Sequence, residues 1–441
     1  MTEIRRVHVV GAGLAGLAAS LRLAKAGIGV VLHESAPQAG GRCRSYFDDA
    51  LGCRIDNGNH LVTAGNAAVL NYLREIGAAA TIAGPPEAEF NFLDLQTGER
   101  WVVRPNRGRI PWWIFSAKRR VPGTSSMDYL RALRLVRAGP QDTLTSILDR
   151  NSPIFQRLWL PLAISALNTD VDEAAAAPLV RVLRETFGRG GAACRPLMPI
   201  EGLSESLVDP ALERLRAMGA QLRLGSRLKA ITVSGDHVST LSFDEGEEAL
   251  QDDAAALLAV PASVATRVVP NLTAPNEFRP IVNAHFRVKA LPDAPPFVGL
   301  LGGATQWVFR KPEVLSVTIS AGSQFVDMPA SVLAELLWPE VQRAYDLPPG
   351  PLPAWQIVKE KRATFAATPM QLPRRPKAIT CWRNLTLAGD WTDTGLPATI
   401  EGAVRSGFAA ADALLKTSVI RGNSEKRRSA ESLKGEIARA S

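Results

Sequence analysis

The sequence predicts an α/β fold built around a parallel sheet, and three observations predict it. Val7-His8-Val9-Val10 runs directly into Gly11-Ala12-Gly13-Leu14-Ala15-Gly16, after which Leu14, Leu17, Leu21 and Leu23 follow at helical spacing. A second apolar run, Val30-Val31-Leu32-His33, ends on Glu34, 18 residues past Gly16. Near the other end, Leu385-Thr386-Leu387-Ala388 stops on Gly389-Asp390, and Thr399 opens a helical pattern. Strand, glycine turn, helix, strand and acid, in that order, are the start of a dinucleotide-binding unit.

Each glycine of the first turn has its own reason. Gly11 supplies the backbone angles, Gly13 lets the main chain approach a pyrophosphate, and Gly16 lets helix and strand pack closely. The free N–H groups at the helix start, those of Leu14 and Ala15 among them, then face a doubly negative ligand. Glu34 is placed to accept from ribose hydroxyls and to repel a 2′-phosphate.

The chain has 441 residues, 46% hydrophobic and 21% charged, enough for two or three domain-sized units of ordinary globular composition. No apolar stretch is long enough and free enough of charge to span a bilayer. The apolar start reads as a phosphate turn, not as a signal peptide. Cys43, Cys53, Cys194 and Cys381 are scattered without metal spacing, so neither disulfides nor a metal is expected, and a reducing cytoplasm fits.

Charge is concentrated. Arg100 to Arg137 holds ten cationic residues and one acid, a local +9 in a chain of net +8. Trp101, Trp112, Trp113 and Phe115 lie in the same window. Basic residues interleaved with Trp suit an anionic membrane surface. A nucleic-acid patch and an ordinary solvated face with core tryptophans are the competing readings.

Along the chain, helical patterns cover Asp128–Ala138, Thr143–Asp149, Ile154–Ala166, Pro178–Phe187 and Glu205–Met218. Strand patterns cover 221–224, 228–233 and 254–260, and alternation at 281–289, 306–310, 314–320 and 354–364 predicts a second sheet, interrupted by a helix over Ala330–Tyr345. Residues 417–441 read as a disordered basic tail. The helix opening at Thr399 and Ile400 can stabilise negative charge with its free amides, as beside the pyrimidine carbonyl of a reduced flavin. The same segment could equally be an amphipathic helix that completes the first sheet.

These pieces together resemble the FAD-dependent amine oxidase and carotenoid desaturase superfamily. The resemblance rests on Gly11, Gly13, Gly16 and Glu34, on Gly40-Gly41-Arg42 with Ser45, on Ile55-Asp56-Asn57-Gly58, and on Gly389-Asp390 with Glu401-Gly402-Ala403. It implies non-covalent FAD in a discontinuous, Rossmann-like domain of glutathione-reductase type. That domain would use residues 1–75, 205–265 and 380–416, interleaved with an α+β substrate domain, mixed sheet and helices, over 76–204 and 266–379. Glu34 would hold the adenosine ribose and Arg42, next to Gly41, the pyrophosphate. Backbone near Leu228 would meet adenine, Asp390 the phosphate or ribityl region, and Thr399–Gly402 the flavin ring. Asn57, Gly58 and Asn59 would lie on the flavin side.

A narrower likeness sits in Asp56-Asn57-Gly58-Asn59-His60-Leu61 and in Trp159 to Thr169. These stretches resemble the hydroxysqualene dehydroxylase family, which usually carries Gln where Asn59 stands. The resemblance implies FAD-dependent reductive removal of an allylic hydroxyl from hydroxysqualene, giving squalene for hopanoid synthesis. It implies an isoprenoid substrate; together with the scattered cysteines and the basic, Trp-rich window, the expectation is a cytoplasmic enzyme peripheral on the inner membrane, with no nucleic-acid partner. Phytoene-type desaturation, protoporphyrinogen oxidation, amine oxidation and a non-catalytic FAD- or membrane-binding scaffold are the alternatives. No second glycine fingerprint follows a strand, so the electron donor is left open.

The departing oxygen needs a proton or a strong hydrogen-bond donor. His60 is the first candidate, with a hydrogen bond to flavin or backbone as its other reading. Asn168 and Thr169 are candidate orienters of the hydroxyl, or else cap the helix end before Asp170. Glu401 is expected to cap or to bond the cofactor. Cys381 gives no reason to expect a covalent flavin bond.

Overall fold

The computed structural model describes residues 3–289, 291 and 293–416; the expected tail lies outside the described residues. A five-stranded, all-parallel sheet has the order Gln221–Leu224, Gly29–Glu34, Arg6–Val10, Ala254–Leu258, Leu385–Leu387. Its central strands are apolar without alternation because both faces are covered. One face packs on helices Leu14–Lys25, Asp209–Ala217 and 400–416. The other carries an antiparallel sheet of Leu228–Ser234, His237–Phe243 and Gly246–Ala249. The chain reverses its strand order at Arg6–Val10, so the glycine turn after Val10 opens at the crevice where such sheets bind ligands.

A seven-stranded mixed sheet forms the second layer system, in the order Trp355–Phe365, Phe278–Arg287, Val314–Ile319, Trp307–Arg310, Phe297–Leu301, Phe90–Asp94, Arg100–Val103. All of its pairings are antiparallel except Phe297–Leu301 with Phe90–Asp94. Val282, Ala284, Phe286, Leu315, Val317 and Ile319 face helix Ala330–Ala344 through Leu333, Leu337 and Val341. Residues 283, 285, 316 and 318 point the other way, toward Asp56–His60, because successive side chains alternate across a strand. A small sheet, in which Pro196–Pro199 pairs with both Val62–Thr63 and Ile82–Ala83, stitches the two systems together.

Two expected helices begin differently from their sequence pattern, for one reason. The stretch before helix Leu160–Leu167 is a π turn over Phe155–Trp159, and the stretch before Asp209–Ala217 is a π turn over Ser204–Val208. In each, the last N–H before a proline reaches back five residues, Leu160 to Phe155 and Asp209 to Ser204. Pro161 and Pro210 then supply no N–H to continue a normal ladder. The helix expected over 128–138 is α only over Ser126–Arg131 and continues as a 3₁₀ helix over Ala132–Arg137.

Candidate functional site: a cradle from three distant segments

The glycine turn has the geometry its spacing implies. Gly11 sits at φ +104°, and a Cβ there would lie 2.4 Å from the Ala259 carbonyl oxygen. A Cβ on Gly16 would lie 1.8 Å from the Gly11 oxygen, whereas one on Gly13 would meet nothing within 4 Å. Gly13 is therefore the glycine that borders open space. It is also the N-cap of helix Leu14–Lys25, with no side-chain cap and no acid in the first turn. The leading amides have neither an intrahelical acceptor nor a side-chain cap, which suits an anion.

Glu34 closes on this turn. Its carboxylate accepts from Ala12 N–H at 2.8 Å and Ala36 N–H at 2.9 Å, and a carboxylate with about four acceptor sites keeps capacity for ribose hydroxyls. Ser226 N–H donates to the Glu34 carbonyl at 2.8 Å, bringing the start of strand Leu228–Ser234 beside it. The Leu228 side chain itself is buried in the core. Gly40 N–H donates to Ala12 O, and Gly41, at φ +58°, lies against the Gly13 backbone.

Arg42 then reaches the last segment. Its Nη2 is 2.8 Å from the Asp390 carboxylate, and its Nη1 donates to Ala363 O. Asp390 directly follows Gly389, which is held at φ +139°, where a Cβ would lie 2.4 Å from the Trp391 indole nitrogen. Arg375 donates from the interior to the carbonyls of Asp390, Trp391 and Thr392, and fixes this loop. Thr399 caps the next helix, its Oγ1 accepting from Gly402 N–H at 3.1 Å, and Ile400 is its first residue.

Asn57, Gly58, Asn59 and His60 run under the polar face of the large sheet. Asn59 Nδ2 donates to Ser316 Oγ at 2.7 Å and to Thr318 Oγ1 at 3.0 Å, and Asn283 donates to the Asn57 carbonyl. Ser316 Oγ bonds His285 Nδ1 at 2.8 Å. Asn59 Oδ1 and His285 Nε2 are buried with no partner. Such orphaned atoms are uncommon and fit a bound group or an ordered water. Asp56 accepts from Ser45 Oγ, Leu203 N–H and Lys311 Nζ. Burial pushes its pKa up, but Lys311 and these hydrogen bonds outweigh it and hold the carboxyl below its ordinary value.

His60 lies beside Cys43 Sγ, at 3.9 Å, and burial pushes its pKa down to about 4; His285 is pushed to about 4 for the same reason. Both rings are neutral at pH 7, so His60 offers one N–H and no charge.

Three sequence expectations change here. Asn168 sits at φ +47° as the C-cap of helix Leu160–Leu167. Its Nδ2 donates to Arg279 O and Thr364 Oγ1, and its Oδ1 accepts from Ala321 N–H at 2.6 Å. Thr169 Oγ1 donates to Leu167 O and accepts from Ala367 N–H. With its hydrogen-bonding atoms engaged this way, the pair ties a helix end to the sheet, which is the alternative the sequence allowed and not the orienting role. Glu401 does cap, but its target is another helix. It accepts from Ala68 and Val69 N–H at the start of Ala67–Glu75 and pairs with Arg405, which also bonds buried Glu185.

Asn283, His285, Lys311, Ser316, Thr318 and Arg375 escaped the sequence reading. Alternation marked the two strands, but cross-strand partners depend on a register that no local pattern displays.

Fold and cradle together define a nucleotide-dependent oxidoreductase. Residues 14–415 match the family described as flavin containing amine oxidoreductase. The chain is 49% identical to a hydroxysqualene dehydroxylase of Rhodopseudomonas palustris over 93% of its own length and 98% of that protein. It is 46% identical to one of Sinorhizobium fredii, again over 93% and 98%. A putrescine oxidase double mutant shares the fold, with a TM-score of 0.69 at 16% identity over 94% of this chain and 100% of that one. The chain belongs to the hydroxysqualene dehydroxylase family of flavin-containing amine oxidoreductases.

Proposed function

We propose that the protein removes the allylic hydroxyl of hydroxysqualene reductively, giving squalene and water, with FAD held non-covalently in the cradle. The observation that carries this reading is a match to a hydroxysqualene dehydroxylase at 49% identity over nearly the full length of both chains. Helix Leu14–Lys25 and Gly13 would hold the pyrophosphate, Glu34 the ribose, and the backbone at Leu228 the adenine. Arg42 and Asp390 would hold the phosphate and ribityl region, and Thr399 and Ile400 would present amides to the pyrimidine end. Bound reduced FAD supplies the hydride equivalent that replaces the C–O bond.

The chain's own part is to hold the hydroxyl, give its oxygen a hydrogen bond as it leaves, and keep water away. His60 is proposed for the hydrogen bond, donating its one N–H as a neutral ring. The buried polar line Asn59–Ser316–His285 supports the turn that carries it. The reaction is placed at an anionic membrane surface, where a C30 hydrocarbon resides. The local +9 supports that placement, and among the described residues no helix is long and apolar enough to cross a membrane.

The test is anaerobic. The purified, yellow protein is photoreduced, hydroxysqualene is added, and flavin absorbance and squalene are followed together. Reoxidation matched by squalene formation is expected. Reoxidation without an isoprenoid would favour a generic oxidase, and a colourless protein that refuses FAD would favour a scaffold.

A further inference from the structure

Fifteen large hydrophobic side chains are exposed among the described residues, and seven of them fall between Ile110 and Val136. Trp101 and Trp113 are not among them; both are buried. The exposed set is Ile110, Trp112, Phe115, Met127, Leu130, Leu133 and Val136, with Ile110 at 78%, Phe115 at 66% and Leu133 at 62%.

The last four repeat every third residue, from the α turn into the 3₁₀ helix. A 3₁₀ helix has three residues per turn, so side chains three apart stack in rows. Three rows result. Tyr129 and Leu135 are buried, Met127, Leu130, Leu133 and Val136 form an apolar ridge outside, and Arg131, Arg134 and Arg137 run alongside it.

The Ile110–Phe115 segment belongs to the same face. Buried Trp113 packs edge-on against buried Tyr129 at 5.1 Å, and the Tyr129 hydroxyl accepts from Val121 N–H. Arg107, Arg109, Lys118, Arg134 and Arg137 ring this face and make no ion pair among the described residues. Val136 borders an open cavity of about 240 Å³, with Leu135, Val136, Ala177 and Val180 on its apolar side, Arg181 and Arg184 on its polar side, and Gly395 of the loop that leads to Thr399 at its edge.

We propose that this face inserts into the hydrocarbon boundary of an anionic bilayer, a monotopic anchor that sets the cavity at Val136 against the lipid. An apolar ridge edged by unpaired cations matches acyl chains below and anionic headgroups around it. A soluble protein partner would have to neutralise the same cations while covering the same ridge, and the one acid between Arg100 and Arg137, Asp128, is already occupied by Arg131. The inference deepens the proposed function, since a substrate dissolved in the bilayer needs an opening on that side.

The test uses full-length protein and vesicles of phosphatidylglycerol and phosphatidylcholine. Two exposed positions are changed together, Met127→Ser with Leu133→Ser, and circular dichroism and flavin content check the fold. Vesicle affinity is expected to fall about tenfold or more, and wild-type binding to weaken with salt without vanishing, because apolar insertion is not screened. A Leu133→Cys label in a Cys381→Ser background, which removes the exposed cysteine, should shift to the blue on vesicles. Unchanged affinity in the double variant, an unshifted label, or a dimer that the double variant converts to monomer would each overturn the anchor. Turnover in detergent reports on the reaction separately, so either reading can fail alone.

Discussion

The guanidinium of Arg42 lies 2.8 Å from the carboxylate of Asp390, 348 positions further along the chain. Gly41, its neighbour, rests on Gly13. One ion pair thus marks where the beginning, the double-glycine stretch and the end of the sequence meet. Arg42→Ala should leave Asp390 unpaired and weaken FAD binding about 10- to 100-fold, the worth of a lost charge-assisted hydrogen bond. Arg42→Lys keeps charge without the fork and should fall between. Flavin fluorescence titration of apoprotein measures this; an affinity unchanged in Arg42→Ala would remove the residue from the cradle.

Gly13 and Gly16 should separate cleanly. Gly13 has extended backbone and open space where a Cβ would point, so Gly13→Val is expected to keep its melting temperature and lose flavin. A Cβ at Gly16 would strike backbone at 1.8 Å, so Gly16→Val should lose about 3 kcal/mol or more of stability. Thermal melts with and without FAD distinguish them. A Gly13→Val protein that stays yellow would contradict the placement of the pyrophosphate.

His60 and Asn168 should also part company. His60→Ala is expected to cost about 10²–10⁴ in single-turnover rate with flavin retained; a loss of less than about threefold would take it out of the donor role. Asn168→Ala should cost about 1–3 kcal/mol of stability, by stranding the Ala321 N–H and the Arg279 carbonyl, while the rate per bound flavin stays put.

Stability should depend on pH through buried histidines. Burial lowers His33, His60 and His285 to about 4 from an ordinary 6.5, and lowers His8 as well. Between those values the unfolded chain holds protons that the folded chain does not, so stability is full above pH 6.5 and declines as pH falls toward 4. Unfolding free energy measured from pH 7.5 to 4.5 should show this slope, and His285→Gln should make it shallower by about one proton. A flat profile would mean that these rings titrate in the fold as they do in the unfolded chain.

Much of the cradle was legible because its signals are local. The three glycines of the first turn differ in role within six residues, and Glu34, Arg42 and Asp390 each follow a short pattern whose context is a strand end or a glycine turn. What stayed hidden depends on distant contact. Glu401 looked like a residue for its own helix start, yet it serves a helix some 330 positions earlier. Asn168 looked available, and only the sheet's approach shows its amide to be engaged on both sides. Helical periodicity survived through Pro161 and Pro210, so the π turns before them left no trace in the hydrophobic pattern.

Strand Leu385–Leu387 pairs with Ala256–Leu258, and the helix behind it holds the front of Ala67–Glu75 through Glu401. A growing polypeptide leaving the ribosome therefore lacks one edge of its nucleotide crevice, and the counter-ion of Arg42, until Leu385 to Asp390 have been translated. Products that stop before Asp390 are expected to emerge colourless, because they lack both that edge and that carboxylate.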